Sequence, residues 1–65
     1  MYTAMTYHPT ALDHDEAVRL HGDPRLTEAD RAACVIVALA AKVGKPITRE
    51  THAAFDAIMR RTAAT

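Results

Sequence analysis

The sequence predicts a small all-α protein, a three-helix domain built around one long apolar central helix and preceded by a flexible N-terminal arm. Three observations carry this. Helix start and stop residues recur at intervals that fit three helices. The middle of the chain, Ala32 to Ala41, is apolar on every side of a helical projection. No alternating pattern persists anywhere, and the abundant residue is Ala, which strands disfavour.

Residues 1–9 show no periodicity and are expected to be the arm, with residues 10–65 forming a single domain; Met5 offers a second start, and Tyr2 and Tyr7 could anchor the arm to the domain. The first helix is expected to open near Asp13. Asp13 and Glu16 have the spacing of an N-cap and its N3 partner, and Leu12 and Ala17 are placed as a hydrophobic staple. Thr10 with Asp13 is a competing start of the same type. The helix should stop at His21, where Gly22 can adopt a left-handed conformation and Pro24 prevents continuation.

The second helix has the clearer signals. Thr27 and Asp30 form a Thr-x-x-Asp capping box, Glu28 complements the helix dipole, and the helix should run to Val43 with Gly44 as its left-handed stop. Thr48 can cap a third helix reaching about Thr62. That helix is amphipathic, with Thr51, Ala54, Phe55, Ile58, Met59 and Thr62 on one side and Arg49, Asp56 and Arg60 opposite.

The second helix carries two apolar stripes instead of one. Ala29, Ala32, Ala33, Ile36, Leu39, Ala40 and Val43 form the main stripe, which is expected to face the core. Cys34, Val37 and Ala41 form another, with Val35 and Ala38 near Arg31 and Lys42. Two partner helices cannot cover both stripes, so the second is expected to be a protein-binding surface made of Cys34, Val35, Val37, Ala38 and Ala41, rimmed by Asp30, Arg31 and Lys42.

Composition narrows the functional classes. A chain of 65 residues buries only about 60% of its unfolded surface, so its core is small and an additional surface would help stabilise it. Cys34 is the single cysteine, which rules out an internal disulfide and suits a reducing, cytoplasmic setting. No apolar run approaches the roughly 20 residues of a membrane span, and no membrane partner is expected. The absence of Ser, Asn, Gln and Trp reads as the coding bias of a bacterial or phage gene.

Catalysis and cofactor use are not expected: there is no serine, no glycine-rich phosphate loop, and the one thiol lies in an apolar run. No metal site is expected either. His14 and His21 are separated by about 10 Å of helix rise, too far for one ion, and His52 is expected to flank Met59 at the edge of the core. Eight basic and eight acidic residues cancel, but the acids dominate before Arg31 and the bases after it, a dipolar pattern that favours a protein partner or self-association.

The stretch Ala40-Ala-Lys-Val-Gly44-Lys-Pro-Ile-Thr-Arg-Glu-Thr51 resembles a helix-turn-helix in its alanine-to-turn-glycine spacing. The resemblance implies nucleic-acid contacts from Lys45, Arg49 and His52, with Arg60 and Arg61 near phosphate. It departs from that motif at Glu50, which falls on an apolar position, and in the length of the preceding helix. Zero net charge also removes the electrostatic attraction that dominates nucleic-acid affinity. The leading expectation is therefore a non-enzymatic regulatory or adaptor protein acting by protein–protein binding, as a homodimer or docked on a larger protein. A DNA-binding regulator is the alternative.

Overall fold

The computed structural model describes residues 6–63. The domain is all-α, with α1 over Ala11–His21, α2 over Glu28–Val43 and α3 over Arg49–Ala63. Two two-residue strands, β1 (Thr6–Tyr7) and β2 (Ile47–Thr48), pair antiparallel with Thr6 opposite Thr48 and Tyr7 opposite Ile47. This pairing fastens residues 6–9 to the folded body, so that part of the expected arm is docked. Residues 1–5, including Tyr2, lie outside the described residues.

The capping chemistry explains each boundary. Thr10, not Asp13, is the N-cap of α1: its hydroxyl accepts from the Asp13 amide at 3.2 Å, and its own amide donates to the Asp13 carboxylate at 2.9 Å. Asp13 is thus the N3 partner of the competing box, and the helix begins three residues earlier than the Asp13–Glu16 spacing suggests. Thr27 and Asp30 make the same reciprocal box on α2, with both bonds at 3.1 Å. Gly44 takes the left-handed conformation, φ 73°, and the amides of Gly44 and Lys45 both donate to the Ala40 carbonyl. Gly22 does not: its φ is −85°, and α1 ends in a tight right-handed turn closed by Arg19 and Leu20 carbonyls. On α3 the Thr48 hydroxyl accepts from the Thr51 amide at 3.1 Å.

The three helices run in alternating directions. The groove shared by Ala40 and Thr51 fixes one end of the α2–α3 pair, and at the other end the Arg61 guanidinium donates to Asp30 at 2.6 Å. These two helices therefore run antiparallel over about ten residues, with Ala40 near Thr51 at one end and Asp30 near Arg61 at the other.

The core holds Ala17 and Leu20 of α1, Leu26 of the connection, Ala33, Cys34, Val37 and Ala40 of α2, Ile47 of β2, and Phe55 and Ile58 of α3. Its bulk comes from Leu20, Phe55 and Ile58, while α2 contributes mainly small side chains. That division has a steric cause. Two flanking helices carrying large residues approach a third most closely where the third is small, so α1 and α3 sit over the Ala33–Cys34–Val37–Ala40 side.

Candidate interaction surface

The structure redivides the two stripes of α2. Cys34 and Val37, expected on the uncovered side, are 0% and 1% exposed. They are core residues, and Cys34 forms part of the floor of the groove between α1 and α2. Ala38 and Ala41 are half-buried; Ala38 lines an apolar groove of about 230 Å³ with Ala17 and Val18 of α1. Of the expected rim charges, Asp30 is occupied by Arg61, and Arg31 donates to the Asp23 carbonyl at 3.3 Å from a half-buried position. Only Val35 and Lys42 keep the exposure that the sequence reading gave them.

The open side of α2 is instead the bulky part of the main stripe with Val35 beside it, while Ala33 and Ala40 of that stripe are buried as expected. Val35 is 41% exposed, Ile36 49%, Leu39 58% and Val43 62%, and Ala29 and Ala32 lie exposed among them. Large apolar side chains scattered singly on a surface are ordinary, but four on one face of one helix form a contiguous strip. Val18 of α1 extends the strip across the groove at 57% exposure. On its other flank lies a second groove, of about 640 Å³, between Ile36, Leu39 and Val43 and the β2 segment around Ile47. The face is thus a ridge with an apolar groove on each side. Sequence reasoning missed Ile36, Leu39, Val43 and Val18 because it assigned the bulkier stripe to the core. The signal was present: a wide, all-round apolar helix has a surplus face, and only packing decides which one.

The candidate nucleic-acid residues are dispersed and largely engaged. Arg61 pairs with Asp30, and Arg60 pairs with Asp56 at 2.9 Å. The His52 ring stacks on Tyr7 with centroids 3.9 Å apart. Lys45 and Arg49 are exposed at the start of α3, with Arg60 and Arg61 about 16 Å away along the helix. They do not form a single basic patch.

Around Tyr7 the structure assembles a small polar cluster. The Tyr7 hydroxyl donates to Asp13 at 2.7 Å while its ring covers His52. That bond raises the Tyr7 pKa, with partial burial and the Asp13 charge adding to the effect. For Asp13, burial pushes the pKa up, but hydrogen bonds from the Thr10 amide, the Tyr7 hydroxyl and the Thr10 hydroxyl outweigh it and leave the group below its ordinary value. The hydrogen bonds of this cluster cap α1 and hold β1 against it. Burial, with the nearby Asp30 charge, pushes the Cys34 thiol up, which keeps it in its unreactive form.

Among the described residues, no three His, Cys, Asp or Glu side chains come together as a metal site, and no helix is long and apolar enough to cross a membrane. Compared with known protein families, curated proteins and solved structures, the chain matches none.

Proposed function

We propose that this chain is a non-enzymatic binding protein, regulatory or adaptor in role, that acts by docking another protein surface against the outer face of α2. The observation that carries the reading is the run Val35, Ile36, Leu39 and Val43, an exposed apolar strip along one face of α2. Removing such a strip from water contributes about 25 cal/mol per Å² of apolar area, and a 65-residue domain has few other sources of stability. Charged groups rim the strip, Glu28 at one end and Lys42 and Lys45 at the other, as in a protein-binding patch with an apolar centre. The alternating direction of α2 and α3 and the engaged states of His52, Arg60 and Arg61 leave DNA binding without a supporting observation.

The test is affinity capture and sedimentation with the wild type and with Leu39→Asp, alongside far-UV circular dichroism. The variant should keep its helical signal, because position 39 is exposed in the monomer. It should lose the bound protein, whether a second copy or another chain. An unchanged set of bound proteins refutes the reading.

A further inference from the structure

Ala29, Ala32, Ile36, Leu39 and Val43 follow one another at alternating spacings of three and four residues, which is the a/d seam of a heptad pattern. In this fold the seam points outward, away from both α1 and α3. A seam of this kind is satisfied by another helix bearing the same pattern, and the chain itself supplies one. We propose that the outer face of α2 closes on the same face of a second copy, with the two α2 helices antiparallel about a two-fold axis. This rests on the reading of that face as a docking surface, and commits it to an occupant and an orientation.

Charge selects both. Glu28 lies at the N-terminal end of the outer face, Lys42 and Lys45 at its C-terminal end; all three are exposed, and none has an ion-pair partner within the described residues. An antiparallel copy brings each Glu28 to the partner's Lys42–Lys45 end, twice per dimer. It also sets the two helix dipoles in opposition, which favours association. A parallel copy would place Glu28 against Glu28 and Lys42 against Lys42. The antiparallel register with Ile36 level with the partner's Leu39 also brings Ala32 level with the partner's Val43, pairing a small residue with a large one in the outer layers. The flanking apolar grooves give each ridge a matching recess, the self-complementarity that a two-fold interface requires. The helix is 16 residues, about 24 Å, so the contact is at the small end of specific interfaces and should be concentration-dependent.

Sedimentation equilibrium of the whole chain across a concentration series at low salt tests this. The wild type should show a reversible doubling of mass, and Leu39→Asp should remain monomeric with its helicity intact. Glu28→Lys should weaken the dimer about tenfold, and adding Lys42→Glu with Lys45→Glu to it should restore the affinity. A wild type that stays monomeric into the hundred-micromolar range overturns the dimer, leaving docking on another protein to the capture experiment above. A dimer abolished by Leu39→Asp but indifferent to Glu28→Lys overturns the antiparallel arrangement alone. A dimer indifferent to Leu39→Asp overturns the use of this face altogether.

Discussion

Truncating two neighbouring residues of α2, Val37→Ala and Leu39→Ala, should give opposite results for reasons legible in the structure. Val37 is 1% exposed at the junction of three helices. Removing two methyl groups there forfeits about 1.6 kcal/mol of transfer free energy, and the cavity left behind adds to it. Alanine's better helix propensity returns about 0.5 kcal/mol. The net loss is about 1.5–2 kcal/mol, against a total stability of about 3–10 kcal/mol for a chain this size. A loss of that size lowers Tm by about 6–16 °C in a domain of this length. Leu39 is the larger side chain, yet it is 58% exposed and its removal opens no cavity. Its truncation should cost the isolated monomer under about 1 kcal/mol. The assay is urea unfolding followed by circular dichroism at low micromolar protein, where mass action does not add the stability of an associated state. If Leu39→Ala is as damaging as Val37→Ala under those conditions, the assignment of the two faces of α2 is wrong. At high protein concentration the gap should narrow, because only Leu39→Ala removes an intermolecular contact.

Three further outcomes follow from single features. Gly44→Ala should destabilise by about 1–2 kcal/mol, since φ 73° is a left-handed conformation even though a Cβ there meets nothing, while Gly22→Ala, at φ −85° with the Arg19 carbonyl 3.7 Å away, should be neutral or stabilising by about 0.5 kcal/mol; thermal unfolding of the two variants checks the order. On acidification, Asp23 is held down at about 2 by the Arg25 guanidinium and amide, and Asp13 and Asp30 are also lowered from 3.8. Their folded pKa values lie below the unfolded ones, so their contribution is complete above the ordinary carboxylate range and is lost as pH falls toward 2; the urea midpoint should drop over that window, less steeply in Asp23→Asn. Cys34, buried and with its pKa raised, should resist iodoacetamide until the chain is unfolded in denaturant; alkylation at the rate of a free thiol in the native protein contradicts its place in the core.

Much of this protein is legible in its sequence because its boundaries are set by local chemistry. Thr27 with Asp30, and Gly44 at the end of α2, specify their helix by interactions spanning three to five residues, and no tertiary contact is needed to read them. The start of α1 was ambiguous for a related reason: Thr10–Asp13 and Asp13–Glu16 are both valid boxes. Tyr7 resolves the ambiguity. Its hydroxyl binds the Asp13 carboxylate that also holds the Thr10 amide, so Asp13 serves as N3 of a helix begun at Thr10. The β1–β2 pairing is invisible in sequence because two residues are too few to show a period.

By itself, then, the sequence determined the number of helices, nearly all their ends, and the fact that α2 has more apolar surface than its neighbours can cover. Those properties depend on capping, propensity and periodicity, which act within a few residues along the chain. Only the tertiary structure decided which face of α2 is covered. The projection shows two apolar stripes but not the shapes that meet them, and the choice depends on volumes contributed by distant segments. Leu20, Phe55 and Ile58 are large, so they pack over the small side of α2, around Ala33, Cys34 and Ala40. The bulky side, with Ile36, Leu39 and Val43, is left facing outward.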